Sequence, residues 1–223
     1  MNAPNAEIKR IQQTTLAVLK NPAGFFETMP VSGGFADPVV FLADMGIIAG
    51  IIQAMLSVLG IGPAVSFFMA LTAILIMPVF VVIFSFIAAG IFFVVWKLMG
   101  SAQTYEAAYR CVAYASAIAP VMILIGAVPY LGAVAGLLWM LYLMVMASEK
   151  VHKIEVKKAW MVFGVIFAIL IIFNVNSQRM TRQTQDQVDE FNRRMQNMEN
   201  MTPEEMGKAM GEFFKGMEAG SKE

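Results

Sequence analysis

The chain has 223 residues, of which 58% are hydrophobic and 14% charged, a composition far from that of an ordinary soluble domain. Its 16 Lys and Arg residues balance 16 Asp and Glu residues, so no basic excess points to nucleic-acid binding. The single cysteine, Cys111, excludes an intrachain disulfide. These features indicate an integral membrane protein that binds no nucleic acid.

Residues 1–38 are polar and amphipathic and are predicted to form a cytoplasmic interfacial segment. They lack the apolar region of a cleavable signal peptide, so we expect them to be retained. Residues 5–20 carry one apolar helical face, which suits a helix on the cytoplasmic leaflet: Ile8, Ile11, Leu16 and Leu19. Asn21-Pro22 then predicts a helix N-cap with proline at the first position. Its short apolar face is expected to dip into the headgroups: Phe25, Phe26 and Met29.

Residues 39–176 are predicted to form five transmembrane helices. Three blocks contain no Asp, Glu, Lys or Arg: residues 45–96, 111–148 and 159–178. Because a helix needs about 20 apolar residues to cross the bilayer, these blocks accommodate two, two and one spans. Breaks at Gly60–Pro63 and at Val128–Tyr130 divide the first two blocks. The predicted spans are therefore 39–60, 68–96, 109–127, 130–148 and 159–176, and the fold class is all-α.

The distribution of Lys and Arg predicts the orientation of these spans. With five spans, the N-terminus and the loops 97–110 and 149–158 share one side. That side carries nine basic residues: Lys9, Arg10, Lys20, Lys97, Arg110, Lys150, Lys153, Lys157 and Lys158. The opposite loops carry none, and only the C-terminal tail places basic residues there. The positive-inside rule then predicts a cytoplasmic N-terminus and an external C-terminus.

The external tail, residues 177–223, is predicted to form two amphipathic helices. The first carries a short heptad-like seam: Thr181, Thr184, Val188, Phe191, Met195 and Met198. Thr202 and Glu205 form a capping box for the second, and Gly220 ends it. Three placements of the tail are open: against the spans, on the outer leaflet, or paired with another copy of the chain.

Several stretches resemble bacterial members of the Yip family, the Ypt/Rab-interacting membrane proteins. Residues 21–30 (NPAGFFETMP) are similar to the family's entry segment, and residues 34–38 (GFADP) precede the first span as in that family. Residues 100–110 (GSAQTYEAAYR) and 114–120 (YASAIAP) resemble its third span and the loop before it. The resemblance covers roughly residues 15–176.

The resemblance implies five spans, a cytoplasmic N-terminus and an external or lumenal C-terminus. Eukaryotic relatives act in vesicle traffic and contact prenylated Rab-type GTPases. This chain departs from the eukaryotic relatives in two ways. Residues 34–38 differ from the D-L-x-G-P sequence that precedes their first span, and the N-terminal region is short. Its short loops and brief N-terminus resemble bacterial members, which implies the inner membrane of a bacterium.

Charged residues near the cytoplasmic end of the spans are the main functional candidates. Asp44 lies within the first span, where an acidic side chain is costly unless it meets a partner or water. We predict a polar cluster at the mouth of the bundle: Asp44, Lys97, Glu106 and Arg110. The alternative is that Asp44 merely reaches the interface. His152, the only histidine, is interpreted as a solvated loop residue beside Glu149, Lys150 and Lys153.

Other polar or helix-breaking residues lie deeper in the spans. Gln53 is expected to bond a neighbouring helix, and Pro78 and Pro120 to kink their helices. We expect these three residues either to line a pathway through the bundle or to pack one helix against another. The tail carries a run of methionines whose thioethers suit Cu(I): Met195, Met198, Met201, Met206 and Met210. The alternative is that they fill apolar faces, as methionine commonly does.

No catalytic residues, cofactor site or metal site are predicted, because the sequence has no nucleophile–base pair, phosphate loop or metal-ligand spacing. The leading hypothesis is a non-enzymatic membrane scaffold or adaptor of the Yip type. Its expected partners are membrane lipids, unidentified proteins and a second copy of the chain. The alternative is a small transporter or channel-like protein with a pathway near Asp44 and Gln53.

Overall fold

The computed structural model describes residues 3–59, 67–126, 128 and 130–199. Helices account for the regular structure of these residues: α1 (Ala3–Lys20), α2 (Pro22–Thr28), α3 (Ala36–Val58), α4 (Phe67–Leu98), α5 (Tyr105–Ala115), α6 (Ala119–Gly126), α7 (Leu131–Lys150) and α8 (Val156–Glu199). A 3₁₀ turn, Ser116–Ile118, joins α5 to α6. The predicted breaks at residues 60–63 and at Pro129, the capping box at 202–205 and the tail beyond 199 lie outside the described residues.

Five of these helices are long and apolar enough to cross a membrane: Ala36–Val58, Pro78–Leu98, Tyr105–Gly126, Leu131–Lys150 and Val156–Gln196. The predicted all-α fold class and the predicted number of spans are therefore confirmed. The helix bounds lie within four residues of the predicted spans, except that α8 continues to Glu199. Backbone polar groups in hydrocarbon must be satisfied within their own segment, which is why the apolar runs fold as helices.

The chain divides into two compact units, residues 1–174 and 175–223. In the first unit α3 packs against α4, α5 and α6, and α4 packs against α5. The N-terminal helices α1 and α2 pack on the same unit, α1 against α5 and α2 against α7. In the second unit α8 continues to Glu199, and its residues 179–196 are exposed.

The N-terminal cap and helices form as predicted, but their apolar side chains lie elsewhere. Asn21 Oδ1 accepts a hydrogen bond from the Gly24 N–H at 3.1 Å, and Pro22 occupies the first turn of α2. Phe26 and Met29 were expected in the headgroups, yet both are buried in the protein core. They pack there because α2 lies against α7, so the surface offered by the bundle replaces the lipid.

Candidate functional site

Helix α5 carries two of the predicted site residues, Glu106 and Arg110. Thr104 caps this helix, and its side chain accepts a hydrogen bond from the Ala107 N–H. Glu106 lies in the first turn, where its negative charge suits the helix N-terminus. Arg110 follows one turn later on the same face, and only 3% of its surface is exposed. Burial of a guanidinium requires that its donors find acceptors.

Arg110 and Glu106 hold the loop between α2 and α3. The two side chains form an ion pair, with Arg110 Nε 3.4 Å from Glu106 Oε1. Arg110 Nη2 donates to the Gly34 carbonyl at 2.8 Å, and the Gly34 N–H donates to Glu106 Oε1 at 2.7 Å. Gly33 and Gly34 have φ values of +121° and +86°, which glycine adopts without the penalty of a side chain. We call Gly34, Glu106 and Arg110 the loop clamp.

The structure brings together two of the four residues of the predicted polar cluster. Asp44 and Lys97 form no ion pair within 4.0 Å among the described residues, whereas Glu106 and Arg110 meet in the loop clamp. Arg110 donates to the Gly34 carbonyl and pairs with Glu106, and no ion pair joins it to Asp44 among the described residues. The Lys97 ammonium lies 5.4 Å from the centre of the Phe93 ring. A functional role for the four residues stays a prediction.

Asp44 lies at the junction of α3 with α1. The charged side chains within electrostatic range are Glu7 and Arg10 of α1. Arg10 pairs instead with Asp37, at 3.3 Å. Among the residues that the structure describes, Asp44 Oδ2 is a buried oxygen without a hydrogen-bond partner. An unpartnered carboxylate oxygen within a span is costly, so this atom is a candidate for binding a proton or water.

A small cavity lies beside this junction. Its volume is about 80 Å³, well below the range of about 300–1,000 Å³ that is common for small-molecule sites. Six side chains line it: Arg10, Ile11, Thr14, Asp37, Phe41 and Tyr114. The cavity is large enough for a few water molecules but too small to enclose a drug-sized ligand.

His152 is buried, and its interpretation as a solvated residue was wrong. Its ring stacks on Trp96 with centroids 3.9 Å apart and planes 16° from parallel, and 3% of the residue is exposed. Its Nδ1 atom lies 2.8 Å from Ser101 Oγ, and Nε2 lies 3.9 Å from Cys111 Sγ. Burial and the nearby charge of Lys97 lower the pKa of His152 to about 3. The imidazole is therefore neutral at physiological pH.

Trp96 connects this histidine to α7. The indole N–H of Trp96 donates to Ser148 Oγ at 2.7 Å, and Ser148 Oγ donates to the Met144 carbonyl. We call Trp96, Ser101, Cys111, Ser148 and His152 the histidine node. The sequence offers only a weak signal for it: a lone histidine just after one span and a tryptophan at the end of another. Charged neighbours in the sequence concealed it.

The deeper candidates lie on helices that pack together. Gln53 is half-buried on α3, and its backbone carbonyl accepts a hydrogen bond from Ser57 Oγ at 2.9 Å. Pro78 of α4 lies close to Gly46 of α3, where an added Cβ would be 3.7 Å from Pro78 Cα. Pro120 is the second residue of α6, so the 3₁₀ turn that interrupts the third span ends two residues before the proline. α4 is helical through Pro78.

The described part of the chain holds no group of three or more His, Cys, Asp or Glu residues that could bind a metal ion. The methionine hypothesis depends on five residues between 195 and 210, of which Met201, Met206 and Met210 lie outside the described residues. Only Met195 among them has a described side chain, and it is exposed. The structure therefore leaves Cu(I) binding as a prediction.

The fold and these contacts define a multi-pass, all-helical membrane protein with N-terminal helices docked on its bundle. The Yip1 domain model matches residues 16–175, which is most of the chain, and the protein belongs to the Yip1 domain family. Proteins with this domain are generally non-enzymatic proteins of membrane trafficking. No curated protein and no solved structure matches the chain.

Proposed function

We propose that this Yip1 domain protein is a non-enzymatic membrane scaffold that organises partner proteins or lipids through its N-terminal helices and the loops on the same side of the membrane. One observation carries the proposal: α1 and α2 are docked on the bundle, yet α1 presents a second apolar face to its surroundings. Val18 and Phe26 are buried in the core, whereas Ile8 is 62% exposed and Leu16 is also exposed.

The exposed face of α1 combines apolar and basic side chains. At 100° per residue, Ile8, Lys9, Leu16 and Lys20 lie within an arc of about 120°. All four are exposed. Apolar side chains flanked by lysines suit the boundary between acyl chains and anionic headgroups, or an acidic partner with an apolar patch.

The orientation proposed for this scaffold follows from the charge distribution. The N-terminus and the two basic loops face the cytoplasm, and the C-terminus is external. This places α1 at the leaflet whose anionic lipids attract lysines. We propose that the membrane is the inner membrane of a bacterium, as the short loops favour.

The scaffold proposal is tested by site-specific photocross-linking in the native membrane. A photoreactive side chain replaces Ile8, and the control replaces Met55 of α3, which is also 62% exposed. We expect Ile8 to give a discrete protein product or an anionic-lipid adduct, and Met55 to give only bulk-lipid adducts. Identical products at the two positions would contradict the proposal. Native mass spectrometry in nanodiscs would identify the bound species.

The second candidate function is transport or channel activity. The Asp44 Oδ2 atom, which is buried without a hydrogen-bond partner among the described residues, favours this function. Asp44 and Gln53 lie on α3, which packs against the helices that carry Pro78 and Pro120. Asp44→Asn should abolish flux while the folded protein remains, if transport is the function. A scaffold should tolerate Asp44→Asn and fail on combined change of Ile8 and Leu16 to Asn.

A further inference from the structure

The described part of α8 beyond residue 174 presents an apolar stripe of exposed side chains. Val188, Phe191 and Met195 are 45%, 61% and 48% exposed. The helix is supported by contacts between neighbouring turns, including Gln185 to Asp189 at 3.0 Å and the ion pair of Arg194 with Glu190. Such local contacts stabilise a helix by only a few tenths of a kcal/mol each. In proteins most of the stability of a helix comes from packing of its apolar face, not from such local contacts.

The spacing of the stripe is that of a coiled-coil seam. Five positions alternate three and four residues apart: Thr181, Thr184, Val188, Phe191 and Met195. With Val188 at position a of a heptad, Phe191 is at d and Met195 at the next a. A stripe confined to a and d is narrower than the apolar face of a helix that packs on a globular core or lies in a membrane surface.

The charges of this segment lie away from the seam. Seven charged residues occur between 175 and 196, and six are at the outward positions b, c and f: Arg179, Arg182, Asp186, Asp189, Glu190 and Arg193. The seventh, Arg194, is at g, and the next e position along the helix is Glu199. In a parallel pair of identical helices these two positions face each other and carry opposite charges.

The same charges disfavour the lipid surface as the occupant. Helices that lie in the headgroup region carry mainly Lys and Arg on the polar face and a wide apolar face. Here four arginines are mixed with three acidic residues, and the exposed apolar side chains between residues 181 and 196 lie in a single seam. A helical partner with a matching seam fits these observations better than an anionic leaflet.

We propose that this face of α8 pairs with the same face of a second copy of the chain as a short parallel coiled coil. Identical chains inserted under the same charge rule have the same orientation, so their α8 helices leave the membrane on the same side and at the same depth. Two identical seams then meet in register without any change in the spans. The proposal is independent of the scaffold function, because it concerns the opposite end of the chain from α1.

Disulfide trapping of the full-length protein in its native membrane tests the pairing. Val188→Cys places a thiol in the seam, and Asp186→Cys places one on the outward face of the same turn as the matched control. Cys111 is buried, so the unsubstituted protein provides the background. We expect a covalent dimer with Val188→Cys and Met195→Cys, and monomer with Asp186→Cys and with the unsubstituted chain.

A second measurement follows the pairing without cross-linking. Native mass spectrometry in nanodiscs should show a dimer for the unsubstituted chain and for Asp186→Ala, and loss of that dimer for Val188→Asp. Equal cross-linking at residues 186 and 188 would overturn the proposal. Monomers whose residue 188 thiol is shielded from a water-soluble maleimide would overturn it in favour of the outer leaflet. A covalent product with a different protein would overturn it in favour of another partner.

Discussion

The first unit of the molecule has two unlike ends. At one end α1, α2 and α5 meet the start of α3, the last turns of α4 and α7 and the first turns of α8, and large side chains such as Trp96, Tyr109 and Phe163 are fully buried. At the other end α6 has no buried residue, and Met55 and Val58 of α3 are exposed. The packed end also holds the loop clamp and the histidine node.

The difference follows from what each end must shield. Between helices in lipid there is no hydrophobic driving force, so an apolar side chain that faces acyl chains needs no protein cover. A guanidinium, an indole N–H or an imidazole does need partners, because an unsatisfied polar group in an apolar environment is costly. Dense packing is therefore found where polar side chains enter the bundle. Substitutions at the packed end should lower stability far more than substitutions at the open end.

The largest expected effect is at the loop clamp. Arg110→Ala leaves the Gly34 carbonyl without its donor and Glu106 without its cation, which we expect to cost about 3 kcal/mol of unfolding free energy. Arg110→Lys should recover only part of this loss, because an ammonium cannot reproduce the planar guanidinium fork. The measurement is thermal unfolding in nanodiscs. A stability unchanged by Arg110→Ala would show that the loop is held by other contacts.

Two aromatic residues of α4 contrast a ring that the protein buries with a ring that it leaves exposed. Trp96→Ala removes a fully buried ring, its stacking on His152 and its hydrogen bond to Ser148, at an expected cost of about 3 kcal/mol. Phe84→Ala removes an exposed ring from the same helix and should cost about 0.5 kcal/mol or less. Similar losses in an unfolding assay of the two variants would show that burial within the protein does not decide the cost of removing a ring.

The histidine node predicts a pH dependence of stability. The pKa of His152 is about 3 in the folded protein and near 6.5 when unfolded, so below pH 6.5 the unfolded chain takes up a proton that the folded chain does not. The contribution of this histidine to the free energy of unfolding is fully present above pH 6.5 and falls as the pH decreases towards 3. At pH 5 the loss should be about 2 kcal/mol.

His152 is the only histidine, so His152→Gln should remove most of the dependence between pH 7 and pH 5. Unfolding of both proteins at the two pH values provides the measurement. If the dependence persists in the variant, another group is responsible.

The smallest expected difference is between two glycine variants in the loop between α2 and α3, and it separates backbone strain from side-chain contact. Gly33 and Gly34 both have positive φ values, so alanine is strained at either position by about 1 kcal/mol. Only at Gly33 would the new Cβ approach a side chain, 3.1 Å from Arg110 Nη2. Gly33→Ala should therefore destabilise the protein more than Gly34→Ala. The reverse order would show that Arg110 yields to the added methyl group.

Sequence reasoning located the helices because their signals are local. An apolar run without charges must satisfy its backbone internally in a bilayer, so its length predicts a span whatever its neighbours are. The cap formed by Asn21 and Pro22 is equally local, since it involves residues three positions apart. The heptad spacing of Val188, Phe191 and Met195 is also visible without coordinates.

Contacts between distant residues were decided by the tertiary structure. His152 appears solvated beside Glu149, Lys150 and Lys153, but the chain places it against Trp96, a residue 56 positions earlier. Arg110 was expected to face Asp44, but it donates to the Gly34 carbonyl, 76 positions away in the sequence. Spacing within one helix predicts which residues share a face. Which helix covers that face depends on how all the apolar and polar surfaces are satisfied together, and that information is not contained in any single segment.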